Sequence, residues 1–168
     1  MGTDIKSIFQ KYEDNQWVTI ESDFDNNHDY TLFAVLANER NYDDIVPVLS
    51  PEYLYEGESE IDGQWYPYYL TDDELLTWYA QPHIHYPVRY MDYNDYLKWD
   101  KTTDPDSYAR ITFVSVISME QADRGEIAER VEISWKQDIN ASLSYFFEEV
   151  IRLKKLHGKI RFVFRFDC

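Results

Sequence analysis

The sequence predicts an α+β fold: a mixed or antiparallel sheet opening with an N-terminal hairpin, helices packed on one face, and a long C-terminal helix followed by a core strand. Three observations carry this reading. Ile160, Phe162, Phe164 and Phe166 fall on one side of an extended run by strict alternation. Before them, Ile139, Leu143, Phe146, Phe147, Val150, Leu153 and Leu156 recur at helical spacing and stop at His157-Gly158. At the other end, the runs Asp4 to Tyr12 and Trp17 to Glu21 flank Glu13-Asp14-Asn15-Gln16, a turn sequence.

Taken in order, the hairpin is followed by Asp29, which precedes Leu32, Phe33, Val35 and Leu36 and predicts a helix ending near Arg40-Asn41. From Tyr42 to Pro67 there is no period, and an exposed loop region is expected. Thr71 followed by Asp72, Asp73 and Glu74 has the spacing of a capping box, with acids where the helix dipole favours them; a helix over 72–79 buries Leu75, Leu76 and Trp78. A second short helix is expected from Asn94 to Asp100, presenting Tyr96, Leu97 and Trp99. Ile111 to Ile117 reads as a strand, Met119 to Ala128 as a short helix or irregular turn, and Val131, Ile133 and Trp135 as an alternating strand. Asp138 or Asn140 is the expected cap of the long helix. The 168 residues argue for a single domain, 1–168, in which 21–108 is an acidic, tyrosine-rich region of loops and short helices and 138–167 is the core helix and strand.

Charge sorts the function classes. The net charge is −16, and residues 1–108 hold 6 Lys and Arg against 23 Asp and Glu, whereas residues 109–168 hold 10 against 9. Such a field repels nucleic acid and anionic membranes and attracts basic proteins. There is no run of roughly 18 apolar residues, and the start lacks a signal-peptide plan. The opening Met-Gly is followed by Lys6 where a myristoylation signal needs Ser or Thr. The single cysteine, Cys168, excludes an internal disulfide and a cysteine-based zinc site within one chain. A cytoplasmic protein without a cofactor is expected.

Sequence motifs for catalysis are sparse: there is no glycine-rich phosphate loop, Gly-x-Ser-x-Gly or Cys–His pair. His83-Ile84-His85 has a spacing able to ligate a metal, but carboxylates would have to complete the set, and the alternative is two loop residues between Pro82 and Pro87. Asp23-Phe24-Asp25-Asn26-Asn27 lacks the glycine and closing glutamate of a calcium loop. The cations Lys154, Lys155, Lys159, Arg161 and Arg165 read as helix-dipole partners and as the outer face of the last strand.

The remaining constellation is aromatic and acidic. Of 15 tyrosines, 12 lie between Tyr42 and Tyr108, among the carboxylates. Tyrosine gives large amphipathic contact area at low entropy cost, and beside Asp and Glu it suits Arg and Lys. The candidate partner-binding residues begin with Asp43, Asp44, Tyr53 and Tyr55. They continue through the acidic stretch Glu56, Glu58, Glu60 and Asp62, then Trp65, Tyr66, Tyr68 and Tyr69. Asp72, Asp73, Tyr90, Asp92 and Tyr93 complete the set. The competing reading is that these rings pack loops onto the domain.

Met1-Gly2-Thr3-Asp4-Ile5, the run Asp29 to Asn41, Leu70-Thr71 through Leu75-Leu76, Asp95 to Asp100, and Arg161 to Asp167 occur in that order. In these segments the chain resembles a family of small proteins from tailed bacteriophages and prophages that open Met-Gly-Thr-Asp-Ile-His. The resemblance implies a phage origin and residence in the cytoplasm of the infected host, but brings no activity with it. Two departures stand out: the family's histidine after Ile is Lys6 here, and its His-x-His stretch appears as Gln64-Trp65-Tyr66-Pro67-Tyr68. The leading expectation is an acidic interaction protein that binds a basic, nucleic-acid-binding host defence factor, of anti-CRISPR or anti-restriction type, with carboxylates occupying a groove built for phosphates. The alternatives are a divalent-metal-dependent enzyme or nucleotide-binding protein with a site around Asp4, Asp29 and the histidines, and a virion or assembly accessory protein.

Overall fold

The structure, a computed structural model, describes residues 2–25, 28–48 and 59–167. Its fold is α+β. In chain order the elements are β1 (Asp4–Glu13), β2 (Gln16–Ile20), α1 (Tyr30–Ala37), β3 (Glu60–Ile61), β4 (Gln64–Trp65), β5 (Tyr68–Thr71) and α2 (Asp72–Tyr79), then β6 (Ile84–His85), β7 (Val88–Asp92) and α3 (Tyr93–Lys98). They continue with β8 (Val116–Ser118), α4 (Met119–Asp123), β9 (Arg130–Ser134), β10 (Gln137–Asp138), α5 (Ile139–Ser142), α6 (Ser144–His157) and β11 (Ile160–Asp167). Where length alone argues for one domain, two compact units are seen: Met1–His83 with Ile139–Cys168, and Ile84–Asp138.

The first unit is built on an antiparallel sheet of order β2-β1-β11-β5. The β1–β2 hairpin closes through Asp14 and Asn15, both at positive φ, the twist a two-residue turn needs to match its strands. Strand β11 is central, pairing along β1 from Lys11↔Ile160 to Asp4↔Asp167 and with β5 from Arg161↔Thr71 to Phe164↔Tyr68. Its even-numbered side chains meet Ile5, Phe9 and Leu70, and α1, α2 and α6 bury Leu32, Phe33, Leu75, Phe146, Phe147 and Val150 against the same face. Each fully buried Phe or Leu there contributes roughly 1.5–3 kcal/mol.

Several expectations are corrected. Helix α1 stops earlier than expected, at Asn38, whose left-handed conformation returns its N–H to Ala34 and Phe33. The long C-terminal helix is interrupted at Leu143, a non-helical residue without a side-chain cap, and the Asn140 side chain bonds to Tyr79, Gln81 and His83 instead. Leu156 and Leu97 are exposed. The 42–67 region contains the β3–β4 ribbon, and Ile45 and Tyr66 within it are buried. Arg161 is not on a solvated outer face: it is 3% exposed, donates to Gln10 Oε1 at 2.8 Å and packs against the Trp17 and Tyr69 rings at 4.3 and 5.3 Å.

The second unit is a three-stranded sheet, β7-β9-β8, antiparallel on one side and parallel on the other, over a core of Met91, Tyr96, Ala122, Val131, Ile133 and Trp135. The expected strand 111–117 shrinks to Val116–Ser118. Ala109 pairs with Tyr90 on the outer edge of β7, whereas β8 lies at the opposite edge, so residues 110–114 must cross the sheet before Ser115 accepts from Arg130 of β9. A short ribbon, β6 with β10, completes this unit.

Candidate functional site

In the first unit the candidate surface is the β3–β4 ribbon. Asp62 and Gly63 both take positive φ, a two-residue turn that pairs Glu60 with Trp65 and Ile61 with Gln64. Directly opposed residues share a face, so a carboxylate and an indole stand side by side. Glu60 and Asp62 are exposed, and Trp65 is 59% exposed despite its size. The ribbon is tied to the central strand by Arg165, whose guanidinium donates to the Trp65 carbonyl at 3.4 Å and lies 5.8 Å from the Tyr66 ring. Between the ribbon and the sheet face opposite the core runs a cleft of about 560 Å³, lined by Glu60, Ile61 and Asp62 on one wall and by Gln10, Trp17, Thr19 and Arg161 on the other.

The other predicted residues of this unit do different work. Asp72, at the start of α2, is buried and is bound by Lys154 Nζ at 2.9 Å, which also reaches Asp73 at 3.0 Å. Those bonds, Asp72 first, hold the Lys154 ammonium above the ordinary lysine range. Tyr66 is buried, Tyr68 stacks on Phe164 at 5.5 Å and Tyr69 faces Arg161, the latter two half-buried, so these rings pack the sheet more than they present a surface. Asp43 and Asp44 lie in the turn after α1, Asp44 exposed. Tyr53, Tyr55, Glu56 and Glu58 lie outside the described residues.

A second constellation gathers at the start of β1. His28 Nδ1 meets Asp4 Oδ1 at 2.6 Å, and Asp29 caps α1 by accepting from the Thr31 and Leu32 amides. Asp29 also accepts from the Tyr145 hydroxyl at 2.9 Å; burial, then the Asp29 charge, drives that phenol far above its usual range. Arg40 donates to Thr3 Oγ1 at 2.9 Å. Three separated segments, 2–4, 28–30 and 40, thus meet in one corner.

His83 closes the first unit. The Asn140 amide donates to the Tyr79 and Gln81 carbonyls at 2.7 and 2.8 Å, which orients its oxygen toward His83 Nδ1 at 2.9 Å. Nδ1 therefore carries the hydrogen. The ring stacks on Trp78 at 3.7 Å, making His83 a strut between α2 and α5. His85 belongs to the second unit, where its Nε2 is buried without a hydrogen-bond partner among the described residues. No group of three or more His, Cys, Asp or Glu is arranged to hold a metal ion among the described residues.

The second unit holds an acidic groove that the sequence reading passed over. Asp95, Asp100, Asp104 and Asp106 line about 400 Å³ together with Met91, Lys98, Trp99 and Thr103. Asp100 accepts from the Thr103 and Thr102 amides at 2.9 and 2.8 Å and from the Thr103 hydroxyl; these bonds, the Thr103 amide first, bring its carboxyl down to about 2. Asp104 accepts from the Trp135 indole at 2.6 Å. Four aspartates within twelve residues were the available signal. Of the predicted residues here, Asp92 caps α3 through the Asn94 amide, while Tyr90 and Tyr93 are half-buried in β7 and α3. No helix among the described residues is long and apolar enough to cross a membrane.

No family model, curated protein or solved structure matches the chain.

Proposed function

We propose that this chain is a phage-encoded acidic interaction protein that engages a basic, nucleic-acid-binding host defence protein, of CRISPR-effector or restriction-enzyme type, and inhibits it by occupying its phosphate-binding surface. The observation that carries the reading is the β3–β4 ribbon, where Glu60, Asp62 and Trp65 stand exposed beside one another. An arginine side chain meeting that ribbon gains a charge-assisted hydrogen bond and a cation–π contact together. Charge supports it: the first unit holds 21 Asp and Glu against 9 Lys and Arg, and one of those cations, Arg161, is buried against Gln10. Capture of a basic protein from host lysate at about 50 and about 500 mM salt tests the reading, since screening lengths fall several-fold across that range. Retention at low salt, loss at high salt, and weakening by Glu60→Gln with Asp62→Asn support it. Binding unchanged across salt would remove the electrostatic mechanism.

A second reading, a divalent-metal-dependent enzyme or nucleotide-binding protein, rests on the His28–Asp4 pair next to the α1 cap Asp29, which are not arranged as a three-ligand metal group among the described residues. Metal analysis of the purified protein and thermal shifts with Mn, Zn and nucleotides test it. Neither stoichiometric metal nor any shift would remove it.

A further inference from the structure

The second unit buries a small core yet leaves Ile111, Phe113, Val114 and Val116 exposed within six residues, Phe113 at 95%, and Ile127 beyond them at 78%. Single exposed apolar residues are ordinary on protein surfaces; a concentration of them within one short stretch marks an interaction site. Here the stretch runs into β8, which among the described residues pairs with β9 alone and so forms the edge of its sheet. An edge strand presents a row of N–H and C=O groups to any extended chain laid beside it. Ser115 accepts from the Arg130 and Glu129 amides, holding residues 114–116 alongside 127–130. Val114 and Ile127 thereby line a groove of about 560 Å³ with Tyr93, and Asp92 and Glu129 lie at the same groove. Arg130, its one lining cation, stands directly opposite Asp92 in the β7–β9 ladder.

We infer that this groove and the β8 edge dock an extended segment of a basic partner in which apolar residues alternate with Lys or Arg. Alternation follows from strand geometry, since every second side chain would meet Val114 and Ile127 in the groove while its neighbours face Asp92 and Glu129. Charge selects the occupant: this unit carries 11 Asp and Glu against 7 Lys and Arg, and at −16 for the whole chain a second copy is repelled, whereas a basic segment is attracted. The inference rests on the proposed binding of a basic protein and adds a second contact to it, one governed by apolar burial.

The test measures fluorescence anisotropy of two labelled peptides of equal positive charge against the full chain. One peptide alternates Val and Leu with Lys and Arg; the other carries Ser in place of Val and Leu. The alternating peptide is expected to bind about tenfold tighter or more, an advantage lost in Val114→Ser with Ile127→Ser. Because both residues are exposed, circular dichroism should be unchanged; Val114→Thr supplies the same comparison if the double variant loses its fold. Equal affinity for the two peptides, or an advantage that survives the substitutions, overturns the inference while leaving the electrostatic reading intact. Failure of both peptides to bind at low salt counts against both. A concentration-dependent dimer in sedimentation, abolished by the same substitutions, would assign the groove to a second copy and overturn the inference.

Discussion

Replacing Lys154 with Met takes the countercharge from a buried carboxylate and leaves the carboxylate in place. The Asp72 side chain is only 4% exposed, and Lys154 reaches it from α6 at 2.9 Å. Removing one member of a fully buried pair costs about 3–5 kcal/mol. Two features reduce that figure. The Lys154 side chain is 38% exposed, so water already screens the pair, and Asp72 still accepts the Asp73 amide at 3.0 Å at the positive end of α2. The expected loss is therefore about 2 kcal/mol, which moves a urea midpoint by about 1 M for a chain of this size. Asp73→Asn is the control: its carboxylate is 88% exposed, and it should cost under about 0.5 kcal/mol. Lys154→Met combined with Asp72→Asn should recover much of the loss, because no charge is then buried unpaired. The pH dependence has a defined sign. A lysine held above its ordinary value contributes stability below that ordinary value and loses it as pH rises through the elevated one, so parent and variant converge in strong alkali. Additive single-variant effects in urea titrations followed by circular dichroism, with no coupling between positions 72 and 154, would refute the reasoning.

Four further outcomes are expected. Thr71→Ala removes half of the capping box with Glu74 and should cost about 1 kcal/mol in the same titration. Asn140→Ala strips the Tyr79 and Gln81 carbonyls and His83 of a shared partner, and a loss of about 2 kcal/mol is expected, read from the urea midpoint. Carboxyl NMR should find Asp100 titrating near 2; its contribution is complete above the ordinary aspartate value and disappears as pH falls toward 2. Ultraviolet absorbance should find the Tyr145 phenol resisting alkaline ionisation until the protein unfolds, and Asp29→Asn should make it ionise earlier.

Local signals were the legible ones. Thr71-x-x-Glu74 marked a helix start, Glu13-Asp14-Asn15-Gln16 a hairpin, and the alternation through Ile160 and Phe164 a buried strand face, because each effect arises within a few residues. The burial of Arg161 was not legible. Its partner Gln10 lies 151 positions away, and the opposite face of β11 is covered at Val163 as completely as the core face is at Phe162. Asp72 misled for the same reason: acidity at a helix start is normally solvated, and only the arrival of α6 brings Lys154 over it. The segment 111–117 failed in the other direction. Its apolar content resembles a buried strand, yet Ile111 and Phe113 sit in the crossing between two sheet edges. At the candidate site the tyrosines fit either a binding surface or loop packing on sequence alone; Tyr66 is buried, Tyr68 and Tyr69 pack on Phe164 and Arg161, and the exposed aromatic of the ribbon is Trp65.

Strand β11 lies between β1 and β5, and its position along the chain governs the order of assembly during translation. When β1 leaves the ribosome its inner edge has no mate until residues 160–167 have been made. At about 5–20 residues per second this leaves an unpaired edge for many seconds. The second unit, Ile84–Asp138, is synthesised within that interval with its own core and can fold while the first unit waits. A nascent chain arrested before residue 160 should therefore protect Val131 and Ile133 from hydrogen exchange while Phe9 remains unprotected. It should also be prone to aggregation through the waiting edge of β1.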